Sequence, residues 1–291
     1  MCKFDRFPAI GVALFAVVIA VAPRAEAQSL CLPPGSGNQV ALEVLKVSFD
    51  DEVADVTFGS TVWFLSGQLK ATPGLALVGE IPLSRIDVKA YSVFGDPDPE
   101  TAVGNPYIGV ILRAARTSFV SELGLRLPVA SEDNADALVQ GIWSDADRWE
   151  AFIPDLIAVR ARAGMDVSSP MGTADLITRF RIGPTLWIPT EDGADAEIFA
   201  DATASLWFQP ATVMFGVTLS GRTLLSEDAL SFSERSEFQF GLDANVRFGN
   251  VRPGVHFHMP LGDDGLFSTG EAVDFVFGLN VTMLIPGVGG I

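Results

Sequence analysis

The sequence predicts an all-β protein: an antiparallel up-and-down transmembrane β-barrel of about twelve strands, with ten strands as the next count. Three observations lead to this prediction. The chain begins with an export signal, most of the remainder alternates apolar and polar residues with a period of two, and its connections alternate between short and long. Strands of a membrane barrel alternate in this way because one face meets lipid and the other faces the lumen.

The first 27 residues have the three parts of a secretory signal peptide. Lys3 and Arg6 form a basic start, residues 7–22 form an apolar run, and Ala25-Glu26-Ala27 has the small-x-small pattern of a cleavage site. We therefore predict a signal peptide over residues 1–27 and one outer-membrane barrel domain over residues 28–291. Export through the general secretory pathway to the cell outer membrane is the expected route.

The composition is acidic and apolar at once. The chain has 36 Asp and Glu residues against 19 Lys and Arg, and 48% of its residues are apolar. Without the two acids and three bases of the signal, 34 acids oppose 16 bases, which excludes the basic surface that nucleic acid binding needs. Only Cys31 remains after cleavage, so an internal disulfide and a four-cysteine metal site are excluded. The sequence predicts no cofactor and no metal.

The period of two is clearest near the C-terminal end. Residues 273–285 alternate bulky apolar side chains, such as Phe277 and Leu279, with residues that are mostly small or polar, such as Gly278 and Asn280. The length of a membrane-spanning strand, about 9–11 residues, divides the chain into twelve such segments. They lie at 40–49, 55–68, 75–89, 105–115, 118–129, 155–168, 173–187, 196–208, 211–223, 236–248, 250–261 and 272–285.

The connections between these segments alternate in length. Short turns are predicted at 70–74, 116–117, 169–172, 209–210 and 249–250, and long or acidic loops at 50–54, 91–104, 131–154, 188–195, 224–235 and 262–271. Outer-membrane barrels have short periplasmic turns and longer outer loops. We therefore expect the acidic loops, including residues 131–154, on the cell surface and open to protease. Outer-membrane lipid, lipopolysaccharide and the barrel-assembly machinery are the expected partners.

Aromatic residues near the strand ends have two interpretations. Trp187 and Trp207 lie at the ends of adjacent predicted strands, and Trp63, Tyr107, Phe199 and Phe248 could join them in belts at the membrane interfaces. The alternative is that they are ordinary aromatic residues of the strands. Both interpretations agree with a barrel.

Two nearby stretches resemble a known family. Residues 104–110, Gly-Asn-Pro-Tyr-Ile-Gly-Val, are similar to the Gly-[Asp/Asn]-Pro-aromatic-x-Gly turn and strand of the outer-membrane transporters grouped as "MetA-pathway of phenol degradation". Residues 121–128, Ser-Glu-Leu-Gly-Leu-Arg-Leu-Pro, resemble the strand that follows it there. The resemblance covers residues 104–128 and implies a barrel that passes small, often aromatic or apolar compounds. It implies no enzymatic residues.

Charged residues on the mixed faces of the strands are expected to line the lumen. The predicted lumen set is Arg113, Arg126, Arg160, Arg162, Arg179, Arg181, Glu197, Asp201, Asp243 and Arg247. Opposite charges could pair across the lumen and plug it, or they could form a charged constriction that selects solutes. In the second case, the four arginines between residues 160 and 181 would favour anionic solutes.

His256 and His258 are the only histidines, and both lie on one face of a predicted strand. They could share a metal, serve a hydrolase with Ser205 or Ser220 as nucleophile, or be polar filling of the lumen. No motif selects a serine or a third ligand, so the sequence predicts a protein that is not an enzyme. The predicted function is a passive channel or transporter for small solutes. The alternatives are a structural or adhesive barrel that presents acidic loops without transport, and a hydrolase embedded in the barrel.

Overall fold

Alternating apolar and polar residues build a closed antiparallel β-barrel. The computed structural model describes residues 37–49, 60–87, 98–114, 117–191, 193–227, 230–262 and 272–286, so the predicted signal peptide lies outside the described residues. The strands are β1 (Asn38–Phe49), β2 (Thr61–Thr72), β3 (Leu75–Ile86), β4 (Glu100–Val103), β5 (Tyr107–Arg113), β6 (Phe119–Arg126), β7 (Leu156–Met171), β8 (Ala174–Pro189), β9 (Glu197–Pro210), β10 (Val213–Leu224), β11 (Ser236–Val246), β12 (Val251–Leu261) and β13 (Val273–Ile285). Between β6 and β7 lie helix α1 (Ala135–Ser144) and the 3₁₀ helices Glu132–Asn134 and Ala146–Ala151. No helix among the described residues is long and apolar enough to cross a membrane.

The barrel closes where β1 pairs with β13, and every neighbouring pair of strands is antiparallel. β4 and β5 occupy one place in the wall, because β4 pairs with residues 83–86 of β3 and β5 pairs with residues 75–80. Residues 104–106 interrupt this shared strand. The thirteen β-segments therefore form twelve barrel strands, and the predicted fold is confirmed.

The short turns gather at the end of the barrel where β1 begins, here called the turn end, and the long connections gather at the opposite loop end. Two turns are displaced from their predicted places, because β7 extends to Met171 and β9 to Pro210. Gly172 and Ala211, with φ of 66° and 53°, begin the observed turns. Such left-handed conformations match the twist of a tight hairpin.

The two faces of each strand meet different surroundings. On β13 the outward side chains of Leu279 and Met283 are each 52% exposed, whereas the inward Asn280 and Thr282 are 2% and 0% exposed. Val273 departs from the predicted alternation and is buried, since the register of β1 against β13 shifts at that point. The outer face is thus an apolar band suited to lipid, and the inner face is polar.

An arginine on the apolar band is expected to destabilise the barrel in a bilayer. Leu219 lies at the middle of β10 and is 50% exposed. Leu219→Arg should cost about 2–4 kcal/mol because it places a charge in the hydrocarbon, which unfolding by urea in lipid vesicles would measure. The matched control is Thr212→Arg in the exposed turn before β10, for which we expect little change. Equal stability of both variants would contradict burial of this face in lipid.

Residues 127–155, which join β6 to β7, fold into the barrel and are here called the inner loop. Trp149 and Phe152 are completely buried, and Leu138 of α1 is 3% exposed. The prediction that residues 131–154 form a protease-accessible surface loop is therefore wrong for most of residues 137–152, whereas residues 131–133, 135 and 136 are exposed. The physical reason is that this connection carries large apolar side chains, which the lumen of a twelve-stranded barrel can enclose.

The aromatic belt proposed for the strand ends is also wrong for four of its members. Trp187, Trp207, Tyr107 and Phe199 are all buried, and the rings of Trp187 and Phe199 lie 4.2 Å apart between centroids. Phe248 is exposed, as a belt residue would be. Inward aromatic residues therefore belong to the filling of the lumen.

Candidate functional site

The inner loop fills the loop end of the lumen with apolar side chains. On one side, α1 and Phe152 pack against β1, β2, β4 and β13, and the rings of Phe152 and Phe64 meet edge to face at 5.8 Å. On the other side, Trp149 packs in one cluster with Trp187 and Phe199. Burial of this apolar surface favours the docked loop.

A layer of buried ion pairs lies next to these apolar clusters, and Glu150 of the inner loop is at its centre. One carboxylate oxygen of Glu150 pairs with the guanidinium of Arg160 and lies 3.5 Å from Nε of Arg126. The other oxygen lies 2.7 Å from Nη1 of Arg222. Asp201 of the wall also pairs with Arg222, at 2.6 Å. We call Arg126, Arg160 and Arg222 the arginine cradle.

The charge of Glu150 is maintained by this cradle. Burial raises the pKa of the Glu150 carboxyl, but the positive charges of Arg160, Arg222 and Arg126 outweigh this effect and lower the pKa to about 2. Because the pKa is lowered by folding, the ion pairs contribute fully above the ordinary value of 4.5 and are lost as the pH falls towards 2. The loop is therefore held by charge at neutral pH.

The adjoining part of the lumen wall is acidic and binds Arg148, the one base of the inner loop. Arg148 pairs with Glu43 of β1 at 2.7 Å and with Glu80 of β3 at 3.2 Å. Asp145 pairs with the same guanidinium at 2.7 Å, and the ring of Phe64 lies 3.6 Å from it. The inner loop thus presents Glu150 to arginines of the wall and Arg148 to acids of the wall.

Both ends of the inner loop are bound by one side chain, that of Asn105. Its amide nitrogen donates to the carbonyl oxygens of Glu150 and Ile153, at 3.0 and 2.6 Å. Its amide oxygen accepts from the backbone N–H groups of Val129 and Ala130, both at 2.8 Å. Asn105 is therefore a clamp that joins the beginning of the loop to its end.

The stretch that resembles the transporter family supplies this clamp. A Cβ atom on Gly104 would lie 2.2 Å from the carbonyl oxygen of Ala151, so only glycine allows the loop backbone to approach so closely. The ring of Tyr107 lies over Gly124, and its hydroxyl donates to Glu122. Residues 104–107 thus connect the wall to the docked loop.

A small cavity adjoins the ion pairs. Its lining includes Ser66, Glu80, Tyr107, Arg126, Arg148 and Arg162. Arg162 pairs with Asp147 of the loop at 2.9 Å and with Asp201 at 3.3 Å. The cavity is therefore a polar space bounded partly by the wall and partly by the loop.

The four arginines expected at one constriction divide into two groups. Arg160 and Arg162 belong to the layer around the inner loop, whereas Arg179 and Arg181 lie nearer the turn end and face Asp166, with 2.7 Å between Arg181 and Asp166. Arg113 joins this second group at 2.5 Å from Asp166. The strand register causes the division, because Arg181 pairs with Gly164 and not with Arg160 or Arg162.

Two further members of the predicted lumen set lie elsewhere. Arg247 is exposed beyond the end of β11, where its Nε donates to the carbonyl oxygen of Gly249, so its assignment to the lumen is wrong. Glu197 is the first residue of β9 and is half-buried at the loop end, apart from the ion-pair layer. Asp201 and Asp243 are buried in the lumen.

The two histidines are buried in the lumen with their rings stacked at 4.8 Å. Nε2 of His256 lies 3.3 Å from Glu43, and its Nδ1 lies 4.0 Å from Asp243, while His258 contacts Gln239 at 3.4 Å. Within the described ranges, the only three metal-ligating side chains that come together are Glu132, Asp155 and Glu191, all exposed. The histidine pair is not part of that group.

The two serines considered as nucleophiles, Ser205 and Ser220, are buried on the inward faces of β9 and β10. The hydroxyl of Ser205 accepts from Nε1 of Trp207 at 3.2 Å. In the part of the chain that the structure describes, no hydrogen bond joins Ser205 or Ser220 to either histidine. The histidines instead face carboxylates and amides.

Sequence reasoning missed several residues of the two buried groups of ion pairs. These are Glu43 of β1, Asp166 of β7 and Asp145, Asp147, Arg148 and Glu150 of the inner loop. The alternation of β1 and β7 could have identified the first two, because each lies on the inward face of its strand. No local pattern marked the loop residues, since their partners lie on distant strands.

Comparison with known proteins supports the architecture. No protein-family profile and no curated protein sequence matches the chain. Among solved structures, the barrel is similar to the COG4313 outer membrane channel from Pseudomonas putida F1, with a TM-score of 0.57, 12% identity, and coverage of 90% of this chain and 100% of that one. It is also similar to LpxR from Salmonella typhimurium, with a TM-score of 0.52, 12% identity, and coverage of 85% and 100%. At these identities the likeness shows the fold alone.

Proposed function

We propose that the protein is an outer-membrane channel for passive passage of small solutes, in which the inner loop is the gate. The observation that carries this proposal is the docking of the loop, which fills the lumen without contributing a strand to the barrel. Its removal would leave the twelve-stranded wall continuous. Eight strands leave room only for side chains and sixteen leave a channel, so twelve strands permit a narrow pore.

Two further observations support the proposed channel. The apolar outer band suits lipid, and one similar structure is itself named an outer membrane channel. We propose with it the signal peptide over residues 1–27, export through the secretory pathway, and contact with lipopolysaccharide and the assembly machinery. The resemblance of residues 104–128 to the phenol-degradation transporters supports the same class of function.

Conductance in a planar bilayer tests the channel. We expect the refolded protein, checked by its heat-modifiable migration on gels, to give small and infrequent steps, because the loop occupies the lumen. Liposome swelling with small sugars gives an independent measure of flux, and boiled protein is the control. A folded barrel that passes neither ions nor sugars, with or without residues 132–151, would leave a structural or adhesive barrel instead.

A further inference from the structure

We propose that the arginine cradle is the lumen's binding site for a small aromatic carboxylate, and that Trp149 and Glu150 occupy this site when the loop is docked. The inference rests on the proposed channel function, because a solute reaches the cradle through the lumen. It goes further by assigning the chemical class of the solute.

The carboxylate half of the site is already built. Both oxygens of Glu150 are engaged by the cradle, and the side chains of Arg126, Arg160 and Arg222 are 3%, 9% and 2% exposed. The three arginines belong to wall strands, so they remain in place when the loop leaves. Guanidinium groups bind carboxylates through paired, charge-assisted hydrogen bonds, and a free carboxylate offers the same two oxygens as Glu150.

The aromatic half of the site surrounds Arg222. Its guanidinium carbon lies 5.5 Å from the ring of Trp149, 5.9 Å from that of Trp187 and 5.8 Å from that of Phe199. Trp149 comes from the loop, whereas Trp187 and Phe199 belong to β8 and β9. When the indole of Trp149 withdraws, it leaves a space bounded by two aromatic rings and an arginine. A planar ring fits such a space by stacking and by cation–π attraction.

The loop is therefore an internal competitor of the solute. Trp149 and Glu150 are adjacent in the chain, so their aromatic ring and carboxylate are presented together, as they are in an aromatic acid. A free aromatic carboxylate that takes the same contacts excludes the docked loop. Because the two occupants compete for one site, binding of the solute and opening of the lumen are linked.

Equilibrium dialysis of benzoate against the folded barrel in detergent tests the inference without relying on conductance. Benzoate should bind the protein lacking residues 132–151, whereas benzyl alcohol, which has no charge, and acetate, which has no ring, should each bind about tenfold more weakly or worse. In the full chain, Glu150→Gln should strengthen benzoate binding, since it removes the competing charge and keeps the shape. Glu132→Gln, on the exposed part of the loop, is the matched control.

Substitution of the cradle identifies the site. In the shortened protein, Arg222→Gln should weaken benzoate binding by about tenfold or more. Arg222→Lys keeps the charge, and it should bind benzoate more weakly than the parent because it lacks the planar fork. If the glutamine variant fails to fold, the lysine variant still shows whether Arg222 binds benzoate.

Equal binding of benzoate and acetate would overturn the aromatic half of the proposal. Benzoate binding unchanged by both Arg222 substitutions would overturn the site itself. A shortened barrel that conducts ions but does not bind benzoate refutes this inference and leaves the channel standing. A barrel that binds benzoate without conducting refutes the channel and leaves the site.

Discussion

Replacing residues 132–151 by a short Gly-Ser linker is expected to convert a closed barrel into a permanently open pore, with a unit conductance several-fold above that of the wild type. The loop supplies no strand, so the hydrogen-bonded wall remains complete. Removal of the loop exposes polar side chains of the wall, such as those of Arg160 and Glu80. Water then hydrates these side chains, so they are not left without hydrogen-bond partners. Step size in planar bilayers measures the effect, and heat-modifiable migration verifies that the barrel has folded.

The matched control changes the same loop without disturbing its contacts with the wall. Glu132, Asp133 and Asp136 are exposed, so their replacement by Gln, Asn and Asn alters the charge of the loop but leaves it docked. We expect this variant to keep the wild-type step size. A shortened barrel that folds and conducts no better than the control would show that the loop does not close the pore.

Asn105→Ala is expected to release the loop with the barrel intact. The substitution removes four hydrogen bonds from the clamp and leaves buried backbone groups of the loop without partners. The docked state should lose about 2–4 kcal/mol, which corresponds to a rise in the open fraction on the order of 30-fold or more. Open probability in single-channel recordings, compared at equal voltage, measures the change.

Asn134→Ala is the control for the clamp. Asn134 is also an asparagine of the inner loop, and it precedes α1, yet its side chain makes no capping hydrogen bond. We expect its replacement to leave the open probability near that of the wild type. If the two variants behave alike, Asn105 is not the residue that holds the loop.

The arginines show what the alternation of apolar and polar residues can predict and what it cannot. The period of two correctly placed Arg160, Arg162, Arg179 and Arg181 on the inward faces of β7 and β8, where all four are buried. It could not separate them into two layers, because the height of a side chain in a barrel depends on strand register. The register pairs Arg179 with Asp166, so this arginine lies in the second group, nearer the turn end.

The predicted strand boundaries failed mainly where a strand is interrupted. The strand predicted at 105–115 is observed as β5 (Tyr107–Arg113), but β4 (Glu100–Val103) lies within the predicted loop 91–104, and Gly104-Asn105-Pro106 separates the two. Proline lacks the N–H group of a ladder hydrogen bond, and Asn105 directs its side chain to the loop. The reason for the interruption is therefore found only in the tertiary structure, in which Asn105 contacts the inner loop.

By itself, the sequence determined an antiparallel barrel of about twelve strands, its lipid-facing band and the polar character of its lumen. These properties follow from the contacts of each residue with lipid or water. Because such contacts alternate along a strand, they appear in the sequence as a local pattern with a period of two. Only the tertiary structure decided that residues 127–155 enter the lumen and that Glu150 meets Arg126, Arg160 and Arg222. That arrangement brings together β6, β7, β10 and the loop, and side-chain pairing between segments so distant in the chain leaves no local period.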